Sequence, residues 1–514
     1  MKTILMLLAT MLTWTASIGV HAASDNLTPE QQALHVLDRL TYGPRPGDID
    51  RVMTIGIDRY LDEQLHPERM LMPTQLTAEL TRLPTYSMSY AELFRNYGPP
   101  AKRESGDSIE ARKAFSKTER AVVLQAQQAR LAQALENPQQ LKEVMVDFWF
   151  NHFNVFAEKG LDRIWIGAYE RDAIRPYVLG RFRDLLGATA KSPAMLFYLD
   201  NWQSAKLGTD RKGHEQGLNE NYARELMELH TLGIDGGYTQ KDVTELARIL
   251  TGWTFDPRAL KQGTEHPFFF ARARHDEGDK VFLGHHFSNE GQDEGERALD
   301  MLSEHPSTAR HISYQLAQYF VSDEPPKALV ERLTNRFQQT HGDIREVLLT
   351  MFKSPEFRDT ANVGNKFKTP YQYVVSAIRV TQTHPVNYRP ALEALRQLDM
   401  KLYGCLTPDG YKNTEAAWLS PGSMIDRLNF ATAMGSGRLR WNRIPADDVD
   451  SDRGMGLVAK RDGAGPELSS PPDAIAMQSV LGERFSKQTL DAIAKSPPAL
   501  RASLILGSPE FMRH

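Results

Sequence analysis

Glu225 and Glu228 stand three residues apart in the stretch Asn219 to Trp253, NENYARELMELHTLGIDGGYTQKDVTELARILTGW. On a helix that spacing sets the two carboxylates about one turn apart. Two desolvated carboxylates so close cannot both ionise freely. One pKa rises, which suits a general acid beside a carboxylate base or nucleophile. Arg224 is placed to hold one of them ionised. At 100° per residue, Asn221, Arg224, Glu225, Glu228 and Thr231 share one face. Ala223, Leu226, Met227 and His230 share the other, with Tyr222 and Leu229 at the margin. A plainer reading stands beside this one. Arg and Glu on one helix face also make an ordinary solvated, salt-bridged surface, and a histidine in an apolar stripe is commonly a core residue bonded to a carbonyl.

The elements that position these groups are legible nearby. Gly233 ends the first helix as a left-handed cap, with Ile234 as the apolar residue after it. Asp235-Gly236-Gly237 makes the turn. Thr239 is an N-cap with Asp242 at the capping-box position. Val243, Leu246, Ala247 and Leu250 form the buried stripe of a second helix. The polar face is mixed rather than basic, so this helix–turn–helix is not a DNA reader.

Other residues join the candidates. VMVDFWFNHFNVF places Met145, Phe148, Trp149, His152, Phe153 and Phe156 on one stripe. A second histidine inside an apolar face raises the prospect that His152 and His230 meet in a shared polar pocket, with Trp149 beside them. Residues 265–284, EHPFFFARARHDEGDKVFLG, carry the clearest β signal, two runs around an Asp-Glu-Gly-Asp turn that predict a hairpin. His275 and Asp276 lie at the end of the first run, an oriented base or part of a metal site. Lys280, in the second run, is counted with the binding residues. A polar loop, GTDRKGHEQGLNE, feeds the first helix, as ligand loops do.

The remaining chain reads as helical. Residues 29–65 make helices separated near Gly56, and residues 117–157 are helical with an interruption at Pro138. Residues 96–118 hold a polar loop leading into a helix, and helices resume near 290. The expected organisation is a helical body over 25–380 and a C-terminal helical part over 385–514, with a flexible stretch at 445–472. Ser354-Pro355-Glu356-Phe357 recurs as Ser508-Pro509-Glu510-Phe511, the same helix stop used twice. The fold class is mainly α, with a short β-hairpin.

Composition bounds the function. The 514 residues are 41% hydrophobic and 25% charged, ordinary globular values, and the net charge of −4 offers no basic excess for nucleic acid or an anionic membrane. Residues 1–22 read as a secretory signal: Lys2, a mostly apolar run from Ile4 to Val20, and Val20-His21-Ala22 as the cleavage pattern. No cysteine lies near residue 22 to carry a lipid, and no later run is apolar enough to span a bilayer. The chain is thus expected in the periplasm or medium. Cys405 is the single cysteine, so no internal disulfide forms. There is no Walker loop, dinucleotide fingerprint, HExxH, CxxCH or Gly-x-Ser-x-Gly elbow, hence no nucleotide, flavin or haem signature.

HVLDRLTYGP, FWFNHF, the central stretch from Asn221 to Trp253, HDEGDKVFLG, FKSPEF, KFKTPYQYVVSAIR and the region of Trp418-Leu419-Ser420 together resemble a large bacterial family catalogued as domain of unknown function 1800. The resemblance covers nearly all of the chain after the leader. It implies an exported, mostly α-helical protein, names no reaction, and suggests as partner an exported protein of sulfatase-like fold.

Three functions follow from these residues. The first is a hydrolase or lyase acting on an envelope or extracellular polymer such as a polysaccharide, with Glu225 and Glu228 as acid and base and Asp276 as an opposing carboxylate. The second is a metal site for Zn, Mn or Fe built from His152, His230, His275 and carboxylates. The third is a non-catalytic scaffold in which the motif is a buried Arg–Glu–His network.

Overall fold

Side-chain caps set many of the helix starts. Thr28, Ser89, Thr239, Thr369 and Ser420 each close a capping box with the residue three places on, satisfying backbone N–H groups that a helix start leaves unpaired. The computed structural model describes residues 27–99, 109–209, 215–442 and 470–514. The proposed leader, and nearly all of the stretch read as flexible at 445–472, lie outside the described residues.

The architecture is mainly α. The first helices are Pro29–Leu40, Asp48–Ile55 and Ile57–Leu65, the last two parted at Gly56 as the sequence indicates. A long helix, Ile109–Glu136, and an aromatic helix, Gln140–His152, flank the break at Pro138. One cluster of buried apolar residues runs from Ala33 to Met512. It ties the C-terminal segment to the rest: Phe367 bridges Arg513, and Lys368 Nζ donates to Phe511 O at 2.8 Å. In the aromatic helix Met145, Trp149 and Phe150 are buried beside Val144 and Val146, so it is covered on all sides. Each such large side chain stabilises the fold by about 1.5–3 kcal/mol.

The strands differ from the expected pairing. Among the described residues there are three two-stranded antiparallel ribbons. Phe269–Phe270 pairs with Trp253–Thr254, while Lys280–Phe282 pairs with His285–Phe287. A short hairpin is therefore present, but the two runs of 265–284 do not pair with each other: the second is one arm and His285–Phe287 is the other. Leu283 adopts a positive φ of 46° and Gly284 one of 79°, which turns the chain back directly after Phe282. The earlier run is drawn instead to the end of the motif's second helix.

The repeated Ser-Pro-Glu-Phe segments share one geometry. The Ser354 hydroxyl accepts from Phe357 N at 3.2 Å and the Ser508 hydroxyl from Phe511 N at 3.1 Å. Both phenylalanines are buried.

Candidate active site in a groove along the motif helix

The motif helix spans Asn221–Glu228 and buries Tyr222, Ala223, Leu226 and Met227. It ends at Leu229, whose N–H reaches Glu225 O at 2.9 Å, so Gly233 is not the cap; at φ +83°, with its N–H on Met227 O at 3.2 Å, it turns the chain four residues later. Because the helix stops after Glu228, Thr231 does not join the polar face. It is buried and donates to Leu226 O at 2.6 Å. Ile234 does not pack inward either; it is 73% exposed. The second helix, Gln240–Ile249, starts at the Thr239 capping box and buries Val243, Leu246 and Ala247 as its periodicity requires.

Arg224 does not clasp the glutamate pair. Its guanidinium meets Glu220 at 3.3 Å and Gln240 at 3.0 Å, and Glu220 also accepts from Thr244 Oγ1 at 2.7 Å. These polar contacts fasten the two motif helices together.

Glu225 and Glu228 face two cavities that share residues 406–413 as a wall. Asn221 and Glu225 line a space of about 410 Å³ with Lys159, Tyr198 and Leu406. Glu228 lines a neighbouring space of about 250 Å³ with Asp147, His152, His311 and Asp409. The aromatic helix and the turn after it hold the wall in place. Asn151 Nδ2 donates to Tyr411 O at 2.7 Å while Tyr411 N–H donates to Asn151 Oδ1 at 2.7 Å. Asn154 Nδ2 donates to Thr407 O at 2.8 Å and Cys405 O at 3.0 Å. Gly410, at φ +67°, permits the close approach: a Cβ there would lie 2.3 Å from Asn151 O. Cys405 itself is buried, as expected of a packed residue.

The two sides of the groove differ in proton affinity. Burial, and then the charge of Glu228, push Glu225 above the usual glutamate range, and Asp409 adds to the push. Burial works to raise Asp409 as well, but hydrogen bonds from Lys412 and Thr407 outweigh it and hold that carboxyl low. Lys412 Nζ sits 2.7 Å from Asp409 Oδ2. A carboxyl with raised proton affinity thus lies near one with lowered affinity, the kind of separation that acid–base catalysis uses.

His152 and His230 do meet, with ring centroids 6.0 Å apart, and His311 is a third member 6.4 Å from His152. His152 Nε2 donates to His230 O at 3.1 Å and His311 Nε2 to Leu229 O at 3.3 Å. A carbonyl only accepts, so each of these nitrogens carries its hydrogen. Burial and the neighbouring His311 hold His152 at about 3. Burial and His152 depress His230 as well. The trio is neutral and pins the carbonyls that follow the motif helix. His275, the third member of the metal reading, lies elsewhere. Among the described residues no group of three or more His, Cys, Asp or Glu side chains is arranged to hold a metal ion.

Behind the groove lies a charged network. Arg130 pairs with Asp147 and with Glu170, the latter at 3.0 Å, and Arg175 reaches both Glu143 and Glu170 at 2.9 Å. Glu170 and its neighbours Tyr169–Ile174 form a π-helical turn, a feature often found beside functional sites. Asp147 belongs to both this network and the groove. Sequence reasoning missed Asp147, Asn151, Asn154, His311 and Asp409. A signal existed for the first three, as polar residues at helical spacing inside an otherwise aromatic run.

The remaining candidates do other work. Trp149 is fully buried, its Nε1 donating to Val178 O at 3.1 Å. Lys280 is also fully buried, 2.8 Å from Glu294, and His275 lies 3.5 Å from the same carboxylate. These three hold the hairpin to the helix Gln292–Glu304, so neither Lys280 nor His275 presents a face to a solute. Asp276 is engaged by Arg248 at 2.8 Å and borders neither cavity, so it is no opposing carboxylate for Glu225. Asp409 lines the cavity of Glu228 and is close enough for its charge to raise Glu225.

The sequence model of the family described as "Protein of unknown function (DUF1800)" matches residues 35–513. No curated protein and no solved structure matches the chain.

Proposed function

The chain belongs to the DUF1800 family, and from that premise we propose an exported hydrolase or lyase that cleaves an envelope or extracellular polymer, a polysaccharide in the first instance. The carrying observation is that Glu225, raised above the usual glutamate range by burial and by Glu228, and Asp409, held low by Lys412 and Thr407, line neighbouring cavities beside the segment 406–413. Glu225 is the general acid. Asp409 is the base, and Glu228 tunes Glu225 by its charge. Asn221 and Lys159 on one side and Asn151 and Tyr411 on the other supply hydrogen-bonding groups along the groove. A chain of hydroxyls would offer partners to these groups while its ring faces meet the apolar parts of the two cavity linings.

Export rests on the leader-like residues 1–22. Among the described residues no helix is long and apolar enough to cross a membrane.

The test is turnover. The full-length chain without residues 1–22 is incubated with a panel of cell-wall and extracellular polysaccharides, and new chain ends are measured. Glu225→Gln and Asp409→Asn should each reduce cleavage by roughly a hundredfold or more. Cleavage that survives both substitutions would end the assignment.

A second reading is carried by a different surface. Leu419, Ile425, Leu428, Leu500 and Leu504 are exposed on or beside the helices Pro421–Gly435 and Pro498–Leu506, which pack together. An exposed apolar patch of this kind marks contact with another protein. On this reading the chain is a scaffold for an exported sulfatase-like partner. Co-expression with such a protein should give a complex in size-exclusion chromatography that Ile425→Asp with Leu500→Asp dissolves. Two separate peaks for the unmodified pair would count against it.

A further inference from the structure

The two cavities beside the motif helix repeat one set of side-chain types. Leu406, Phe156, Asn221 and Lys159 line one of them with Glu225. Ile234, Tyr411, Asn413 and Lys412 line the other with Glu228. Each thus offers an aliphatic residue, an aromatic ring, an amide, a lysine and a carboxyl. The two glutamates stand three residues apart on one helix, a rise of about 4.5 Å, comparable to the length of one sugar unit along a chain.

The apolar members are open to a ligand. Ile234 is 73% exposed and Leu406 69%, and Phe156 and Tyr411 are only partly buried. A sugar ring has C–H faces to set against such groups and hydroxyls at its rim. Rim hydroxyls would find free polar groups. Among the described residues the side chains of Glu225 and Asn413 make no hydrogen bond, and that of Asn221 makes one of 3.4 Å, to Leu199 O.

The charges disfavour an acidic unit. Lys159 is held by Asp200 at 2.9 Å and Lys412 by Asp409 at 2.7 Å. His152 and His311, beside Glu228, are depressed chiefly by burial, and Asp147 is already paired with Arg130. Among the described residues no arginine lines either cavity. An anion would have to draw a lysine off its aspartate and would meet the charge of Glu228 as well. Resting on the reading of the groove as a polysaccharide site, we propose that the two cavities are paired subsites for two successive units of a glycan free of acidic groups.

The test is a series in length and charge, read as binding by saturation-transfer NMR on the full chain. The probes are glucose and cellobiose, N-acetylglucosamine and its β-1,4 dimer, and galacturonate and digalacturonate. At least one neutral dimer should bind roughly tenfold or more tightly than its monomer, because the second unit engages the second cavity, and digalacturonate should show no such gain. Ile234→Ser and Leu406→Ser, both at exposed positions, should each remove most of the gain. Neutral dimers no tighter than their monomers, a digalacturonate gain equal to the neutral one, or serine variants that keep the wild-type gain would each overturn the proposal. A gain lost in both serine variants, with no glycan cleaved, would remove the hydrolase reading and leave the paired subsites standing. Cleavage that needs Glu225 and Asp409, with no dimer gain, would do the reverse.

Discussion

Tyr403 donates its hydroxyl hydrogen to Glu170 at 2.7 Å, which ties the wall opposite the motif glutamates to the charged network inside the helical body. Tyr403 does so with φ at +60°, a left-handed conformation that a bulky residue adopts only when its surroundings insist. The loop that carries Asp409 is therefore anchored at its base by a buried charge-assisted hydrogen bond.

Tyr403→Phe keeps the ring and removes that bond. Glu170 retains Arg130 and Arg175, so the loss is that of one hydrogen bond to a charged group, about 1.5–3 kcal/mol. Urea unfolding of the variant should show a lower midpoint with an unchanged slope. An unchanged midpoint would show that the bond does not anchor the loop.

Gly410→Ala strikes the same loop from the other side. The added methyl would collide with Asn151 O, and the residue's positive φ compounds the strain. We expect a loss of about 2–4 kcal/mol from the two effects together, with the hydrogen bonds between Asn151 and Tyr411 disrupted. A crystal structure of the variant with that pair intact, and thermal stability unaltered, would contradict the account.

Glu225→Gln should change stability in a pH-dependent way. Glu225 keeps its proton to higher pH when folded than when unfolded. The folded state thus binds more protons, and wild-type stability falls as pH rises from the ordinary glutamate range through the raised value. The amide is free of this loss. At neutral pH the variant should melt at or above the wild-type temperature, and the gap should close below the ordinary glutamate range. A lower melting temperature for Glu225→Gln at neutral pH would mark the residue as a structural partner instead.

The buried histidines set the acid limit. His35 and His152 are held at about 3, and His230 and His514 are also depressed, each chiefly by burial. The unfolded chain protonates them below about 6.5 while the folded chain does not. Stability is therefore complete above that pH and is lost as pH falls, by about 1.4 kcal/mol per pH unit for each histidine. His152→Gln should reduce the slope of unfolding free energy against pH, between 6 and 4, by roughly one proton. Equal slopes for the two proteins would show that His152 takes up its proton in the folded state.

Lys280 and Glu294 form an ion pair with both side chains fully buried. Lys280→Met leaves the buried Glu294 with only His275 as a side-chain partner, at 3.5 Å, and should cost about 3–5 kcal/mol. Lys280→Met combined with Glu294→Leu should recover most of that. A double variant no more stable than the single one would refute the pairing as the reason for the loss.

Local patterns were read correctly where local forces decide them. The Thr239 capping box, the left-handed turn at Gly233, the break at Pro138 and the split at Gly56 each depend on neighbours within a few residues. The meeting of His152 and His230 was legible because both interrupt strongly apolar stripes. The partner of the first run in 265–284 is not legible locally, because strand pairing depends on which edge lies nearby, and Trp253–Thr254 offers one to Phe269–Phe270. Arg224 was expected on Glu225 or Glu228 and instead bonds Glu220 and Gln240, a choice set by how the two motif helices cross.

The sequence by itself determined that this chain is mainly helical, where its second motif helix begins, and that Glu225 and Glu228 share a polar face. Those properties follow from periodicity and capping, which act within a few turns. Only the tertiary structure decided which groups come near them. Asp409 lies 184 residues beyond Glu225 in the chain, and no local pattern links the two. Packing of the aromatic helix, the hold of Asn151 and Asn154 on the wall, and the anchor from Tyr403 to Glu170 bring it there. The same packing buries Lys280 and His275 against Glu294, because burial is a property of the whole core and not of any single segment.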